Sequence, residues 1–395
     1  MKIGVLILGS LFKVGGYQVF AYNLMDKLVM RDHEVTLIVR SSEFHRNYSL
    51  YEQLPFSVAT IKNSDERLVK YFPYFAARSL RNAINNNDID VLQVVGSYPA
   101  GYVATYFKSS VPVALRTHGE DVQIDKEIGY GLRLDQKMDK KIRKVLHSVD
   151  TLIALTNTMS DTYKDLGIYG NNVSLVPNGV AVDDFNLGET FDSDSIRNKY
   201  NVKSDVPLLL TVGRYHKKKG FNLIPQIATN LRELNVDFKW LIVGNGTENI
   251  DPMIRHFNLE DLVTTVPSIG IQQDKSYFKF PGDDLIDLYK CADIYVFPSL
   301  LEGFPRVILE AMAASTPIVT TDAEGCVDLV EDGANGFVSN KNDHITMAEN
   351  ISKIIKDPTL MSKMAICSRE KSYEYNWDIV VDKYEQIYRD LLLIK

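Results

Sequence analysis

Short apolar runs alternate with longer amphipathic stretches along this chain. In the first half the runs are KIGVLIL, EVTLIV, DVLQVV, PVALRTH, TLIAL and VSLVP, and a helix is predicted from about Tyr17 to Arg31 between the first two. The second half repeats the rhythm with VPLLLTV, FKWLIVG, DIYVFPS and PIVTT. Strands alternating with helices predict parallel sheets covered on both faces, an α/β class. The 395 residues exceed what one typical core holds, so two doubly wound domains are expected. The polar stretch from about Asp183 to Asp205 reads as the linker. The last stretch carries Trp377, Ile379, Val380, Tyr384, Ile387, Tyr388 and Leu391 at helical spacing, and an amphipathic helix must pack on something. The expected organisation is therefore 1–185, 186–374 and a terminal helix in 375–395.

Candidate chemistry concentrates in Ser299–Thr321, SLLEGFPRVILEAMAASTPIVTT. It reads as a strand end, a loop, a helix and the next strand, with Pro305 suited to the first helical position. Val307, Ile308, Ala311 and Met312 fall on one helical face and are expected in a core. The free N–H groups of Arg306 and Val307 then form an anion site at the carboxyl end of a parallel strand. A carboxylate in that loop, Glu302, repels a phosphate and instead suits hydroxyl donors. Phosphate plus hydroxyls points to a nucleotide sugar or a sugar phosphate. Arg214 and Lys219 flank another strand-to-helix loop at the same edge. Arg supplies a planar fork for phosphate oxygens and Lys a point charge. His118 ends the strand PVAL at the ligand-binding edge, where an imidazole titrating near neutrality is able to share a proton.

Together these motifs resemble the retaining glycosyltransferases of family 4. The resemblance rests on Glu302 and Glu310 with seven residues between them, on Gly213-Arg214…Lys219-Gly220, on Arg116-Thr117-His118-Gly119-Glu120-Asp121, on Gly129–Asp135 and on VPNGV at Val176–Val180. It covers nearly the whole chain and departs at Ala181, Ser315, Glu324, Asp328 and Gln272–Phe280. It implies the GT-B fold: two Rossmann-like domains facing a cleft, with a C-terminal helix crossing back to the first. It further implies transfer of a sugar from a UDP- or GDP-linked donor to a glycan or lipid-linked acceptor, with retention and without a metal or other cofactor. In this reading His118, Arg214, Lys219 and Glu302 are catalytic. Gly15, Gly16, Gly213, Gly244, Asn245, Ile269, Gly303, Phe304, Pro305, Arg306, Val307 and Glu310 bind the donor. Gly15 and Gly16 lie beside the diphosphate, Ile269 meets the base, Glu302 holds sugar hydroxyls and Glu310 those of the ribose.

Composition narrows the field further. A net charge of −7 argues against non-specific nucleic-acid binding. No apolar run approaches a membrane span, and MKIGVLILGS reads as a buried strand rather than a signal peptide. The expected location is cytoplasmic, with contact at the inner membrane face open. Cys291, Cys326 and Cys367 lie far apart and read as reduced thiols. Asp88-Ile89-Asp90 precedes a strand and so reads as a polar turn rather than a metal motif. A nicotinamide-dependent oxidoreductase is a weaker reading, because the Gly9–Gly16 loop lacks Gly-x-Gly-x-x-Gly and Arg40, not an acid, follows the second strand. A catalytically inactive sugar-nucleotide-binding protein is another, although Glu302, Arg214 and Lys219 are all present. Within Arg67–Arg81, four basic residues mix with Tyr71, Phe72, Tyr74 and Phe75. That stretch suits either an anionic membrane surface or core-facing aromatics with solvated cations.

Overall fold

The computed structural model describes residues 1–12, 15–170, 172–188, 191–269, 272–274 and 277–394. The chain forms two compact units. The first is Met1–Asn178 with Gln273–Phe280 and Trp377–Lys395; the second is Gly179–Gln272 with Pro281–Asn376.

The first unit is built on β1 (Lys2–Leu6), β2 (Glu34–Arg40), β3 (Ser57–Ile61), β4 (Val91–Val95), β5 (Val113–Arg116), β6 (Thr151–Ala154) and β7 (Val173–Leu175). They form one parallel sheet in the order β3-β2-β1-β4-β5-β6-β7. Every residue of β4, β5 and β6 is buried, including the polar Gln93, Arg116 and Thr151, as strands covered on both faces require. The order steps outward from β1 in both directions, so the carboxyl ends of β1 and β4 meet at the switch point. Asp88 and Asp90 make the expected polar turn: the Lys2 amide donates to Asp90 Oδ2 at 2.7 Å, and Lys2 Nζ lies 3.5 Å from Asp88.

The helix Trp377–Leu393 belongs to this first unit. Trp377 and Tyr384 pack against Phe20, Tyr388 donates to Gln93 Oε1 at 2.9 Å, and Arg116 Nη1 donates to Tyr384 Oη at 3.0 Å. Trp377, Val380, Tyr384, Tyr388 and Leu391 are buried as the predicted stripe requires; Val381 joins them, and Ile379 is instead 41% exposed. Arg31 ties the opposite flank to Asp378 and Asp382.

Residues 67–81 divide at Pro73 into helices Glu66–Tyr71 and Pro73–Asn86. Their aromatic residues do not face the core. Tyr71, Phe72, Tyr74 and Phe75 are 64, 59, 41 and 54% exposed. Ala76, Ala77, Leu80, Ala83 and Ile84 fill the buried stripe of the second helix instead, because small residues let it lie close to the sheet.

The second unit carries β8 (Leu208–Val212), β9 (Lys239–Val243) and β10 (Val263–Val266). The next two, β11 (Gln272–Asp274) and β12 (Tyr277–Lys279), form a separate two-stranded sheet in the segment Gln273–Phe280 that groups with the first unit, and the second unit resumes with β13 (Ile294–Phe297), β14 (Ile318–Thr321) and β15 (Gly336–Ser339). The main sheet is parallel in the order β10-β9-β8-β13-β14-β15, so its switch point lies between β8 and β13. Two expectations are corrected. Residues near Asp183–Asp205 are not a bare linker. They include the helix Ser193–Lys199, capped by Asp192 and anchored where Arg197 meets Asp293 at 2.8 Å and the Cys291 carbonyl at 3.3 Å. A helix that buries none of its residues has no apolar stripe to reveal it. Pro305 is the residue capping the helix Arg306–Ala313, one position before the one predicted.

Candidate functional site

Two loops meet at the switch point of the second unit. After β8 the chain runs through Gly213 and Arg214 to a turn of 3₁₀ helix at Lys217–Lys219. After β13 it runs through Pro298 and Ser299 to Glu302. The Lys218 carbonyl accepts from the Leu300 amide at 2.7 Å and from Ser299 Oγ at 2.9 Å, stitching the loops together. Gly220 closes the turn at φ 65°, and a Cβ there would lie 1.8 Å from the Pro298 carbonyl oxygen. Only glycine satisfies both the left-handed backbone and that contact.

This packing delivers Lys219 to Glu302. Nζ lies 2.5 Å from Oε1, with Ser299 Oγ on the same oxygen at 2.8 Å and Lys218 Nζ 3.9 Å from Oε2. Glu302 is 5% exposed. Burial raises its pKa, but the ammonium groups of Lys219 and Lys218 and the hydrogen bonds outweigh it, and Glu302 titrates below the ordinary carboxylate range. Burial lowers the Lys219 ammonium's pKa more than Glu302 raises it. The sequence suggested a lysine free for phosphate; here it is held by the carboxylate. Arg214 is exposed.

Glu310 faces inward from the following helix. It accepts from Tyr289 Oη at 2.9 Å and pairs with Arg306 at 2.9 Å, four residues earlier. Burial raises its pKa against the pull of Arg306 and Tyr289. Gly303 and Val307 are half-buried, while Phe304 and Pro305 are buried, Phe304 with its ring 5.7 Å from Tyr375. The first-turn amides of Arg306 and Val307 have no acceptor inside their helix. Gly213, Gly244 and Asn245 join the loops after β8 and β9: a Cβ on Gly244 would sit 1.9 Å from the Gly213 carbonyl, and the Asn245 carbonyl accepts from the Tyr215 amide at 2.8 Å. The space that a Gly244 side chain would need is thus filled by protein backbone. Ile269 is half-buried beyond β10, and its neighbour Gly270 lies outside the described residues.

The remaining predicted residues lie in the first unit. Gly15 caps the helix Gly16–Met30, and nothing lies within 4 Å of where a Gly16 Cβ would be. Lys13, in the same loop, lies outside the described residues. His118 caps the short helix Gly119–Val122, its amide donating to Asp121 Oδ2 at 2.9 Å. Its ring centroid is 5.0 Å from that of Tyr17, and its Nε2 is sealed from solvent without a partner among the described residues. Burial, aided by Arg116, pushes its pKa down to about 3. The expectation of an imidazole titrating near neutrality is therefore corrected: His118 is neutral at physiological pH, because burial and the positive charge of Arg116 both disfavour a second proton. Ser299, Lys218 and Tyr289 were missed. Ser299 carries the weak signal of a hydroxyl at a strand end; Tyr289 carries none, since it precedes Glu310 by 21 positions.

Residues 192–371 match the family model described as "Glycosyl transferases group 1", and residues 14–184 that described as "Glycosyltransferase Family 4". The chain belongs to glycosyltransferase family 4. N-acetyl-alpha-D-glucosaminyl L-malate synthase of Bacillus anthracis is 24% identical over 401 residues, covering 99% of this chain and 97% of that protein. Sucrose-phosphate synthase from Thermosynechococcus elongatus superposes with a TM-score of 0.81 at 18% identity, covering 100% of both chains. HepE of Anabaena, solved in complex with UDP, superposes with a TM-score of 0.79 at 19% identity and 99% coverage of each chain. The family 4 fold is GT-B, as the motifs implied. The oxidoreductase reading falls with the same findings.

Two outcomes follow for this glycosyltransferase. Lys219→Ala leaves a buried carboxylate without its nearest cation and should destabilise the chain by about 3 kcal/mol. Adding Glu302→Gln should restore part of that loss, so urea denaturation of the two single variants and the double variant should show non-additivity. His118 should shape the acid limb of stability. Its pKa falls from 6.5 unfolded to about 3 folded, so below pH 6.5 the unfolded chain takes up a proton the native chain refuses. Stability should drop by up to about 1.4 kcal/mol per pH unit between those values, and His118→Gln should flatten that slope in urea titrations run from pH 7 to 4.

Proposed function

We propose that the chain transfers a glycosyl group from a nucleotide-diphosphate sugar with retention at the anomeric carbon and without a metal ion. The observation that carries this is the buried Lys219–Glu302 pair at the switch point, beside the free amides opening the Arg306 helix. Arg214, Lys219 and those amides supply the positive charge that a departing diphosphate requires, which preorganised donors provide without solvent rearrangement. Glu302, ionised and shielded, accepts hydroxyl hydrogens of the transferred sugar. A sugar hydroxyl at Glu302 and a phosphate oxygen at Lys219 together replace the ion pair, so binding needs no unpaired charge. Glu310 serves the ribose, with Tyr289 and Arg306 fixing its orientation. The neutral His118 serves as a hydrogen-bonding group for sugar hydroxyls rather than for proton exchange. Gly303 to Val307 line the diphosphate, and in the first unit Gly16 leaves open space at the start of its helix. UDP bound to HepE supports a uridine donor here.

Nucleotide calorimetry and turnover rates separate these roles. Arg214→Ala should weaken nucleoside diphosphate binding about ten- to a hundred-fold, the loss expected of one charged hydrogen bond of about 1.5–3 kcal/mol, with no loss of stability. Glu310→Gln should weaken UDP binding, while Glu302→Gln should mainly lower turnover. Equal loss of UDP affinity in both glutamate variants would overturn the division of labour. A chain that binds UDP-sugars and turns none over would instead be a binding protein.

The acceptor in this reading is a glycan or lipid-linked molecule reached at a membrane. Leu68, Tyr71, Phe72, Tyr74 and Phe75 are exposed together with Arg67, Lys70, Arg78 and Arg81. Arg81 lies over Phe107, 4.7 Å from the ring centre, so part of the charge is held among aromatics. Such a surface suits the headgroup layer of an anionic bilayer, each cation contributing about 1 kcal/mol. Among the described residues no helix is long and apolar enough to cross a membrane. The chain should co-sediment with anionic but not neutral vesicles, release in high salt, and bind more weakly when Lys70, Arg78 and Arg81 are changed to Ser. Equal binding to both vesicle types would remove the membrane from the account.

A further inference from the structure

In the first unit one cation stands apart. Arg40 is the last residue of β2, at the carboxyl edge of the sheet. It is half-buried, its Nε is sealed from solvent, and its guanidinium has no partner among the described residues. The neighbouring carboxylate of Glu43 is engaged instead by Asn47, whose Nδ2 donates to it at 2.6 Å. A covered N–H donor without an acceptor costs free energy that folding alone does not recover. The same edge holds a second such group. Gln18 is 5% exposed, yet its Oε1 has no partner among the described residues.

These groups are linked through Tyr17. Its ring lies 5.0 Å from His118, and its hydroxyl is placed over Gly9, where a Cβ would come within 2.0 Å. Burial raises the Tyr17 pKa, Arg40 and a Gln18 hydrogen bond oppose that, and Glu120 and Glu43 add to it. Arg40 ends β2, Tyr17 and Gln18 open the helix after β1, and His118 follows β5, so all four stand at the carboxyl edge of the run β2-β1-β4-β5 of the sheet. This edge offers a charged planar fork, an amide oxygen and a neutral imidazole nitrogen, whose Nε, Oε1 and Nε2 have no hydrogen-bond partner among the described residues.

We propose that Arg40 and Gln18 form an acceptor subsite, in which the guanidinium binds a carboxylate or phosphate and the amide oxygen accepts from a hydroxyl of the same molecule. This rests on the glycosyl-transfer reading above and specifies its acceptor: a hydroxyl-bearing molecule with an anionic oxygen group. A guanidinium fork matches both anions in geometry, so carboxylate and phosphate share the chemistry.

The test uses three sugars on one ring skeleton: glucose, glucuronate and glucose 6-phosphate. Each is titrated calorimetrically into the full chain saturated with UDP, which occupies the diphosphate site and keeps the probes from it. UDP binding is recorded first in the wild type and in Arg40→Gln, and should be equal. A wild-type chain that fails to bind UDP defeats the donor assignment and leaves Arg40 to be judged on the sugars alone. At least one anionic sugar should bind about ten- to a hundred-fold more tightly than glucose. The anion that gains the margin identifies carboxylate or phosphate. The margin should vanish in Arg40→Gln and narrow in Arg40→Lys, which keeps a charge but not the fork. Equal affinity for the three sugars, no measurable binding of either anionic sugar, or a margin undiminished in Arg40→Gln would each overturn the proposal. Should Arg40→Gln fail to fold, an undiminished margin in Arg40→Lys overturns it equally.

Discussion

The second unit depends on one buried ion pair. Lys219 and Glu302 come from loops on neighbouring strands, 83 residues apart in the chain, and meet at 2.5 Å. Taking either charge out of water alone costs several kcal/mol, so each makes the other's position tolerable. Their meeting requires the Lys218 carbonyl to accept from Leu300 and Ser299, and it requires Gly220 to pass beneath the Pro298 carbonyl. A change at any of these points moves a charge in a site of low polarity. The same constraint restricts what the site receives, because a ligand must return to each ion what it takes away. A sugar phosphate does so, with hydroxyl hydrogens for the carboxylate and phosphate oxygens for the ammonium.

The two units handle polarity differently. In the second, Glu302 and Glu310 are both buried and both paired, and the site keeps its charges balanced before any ligand arrives. In the first, several buried polar atoms at the sheet edge lack partners among the described residues, including His118 Nε2, Gln18 Oε1 and Arg40 Nε. Unmet hydrogen-bonding capacity marks the places where a protein waits for something else. The helix Trp377–Leu393 belongs to that first unit and supports its edge indirectly. Its Tyr384 accepts from Arg116, the residue two positions before His118.

Much of this was legible along the chain because parallel sheets write themselves plainly. A strand buried on both faces is a continuous apolar run, and the loop after it carries the chemistry at the same end every time. Hence Arg214, Lys219, Glu302 and His118 were found at strand ends without coordinates, and those motifs taken together carried the resemblance to the family. Elements without an apolar stripe were hidden. The helix at Ser193 buries no residue and is anchored through the polar side chain of Arg197, so it reads as polar linker. The aromatics of residues 71–75 looked fit for a core, and only the packing of Ala76, Ala77 and Leu80 beneath them turned them outward.

The sequence by itself determined the fold class, the paired repeats, the family and the residues at the strand ends, because each of these depends on neighbours within a few positions. Only the tertiary structure decided which of those residues touch. Pairing of Lys219 with Glu302, of Tyr289 with Glu310 and of Tyr17 with His118 arises where separate loops converge, and no local pattern encodes the convergence. The ionisation of His118 was decided there as well. An imidazole's charge is set by what surrounds it, and burial beside Arg116 leaves it neutral where its free chemistry would let it titrate.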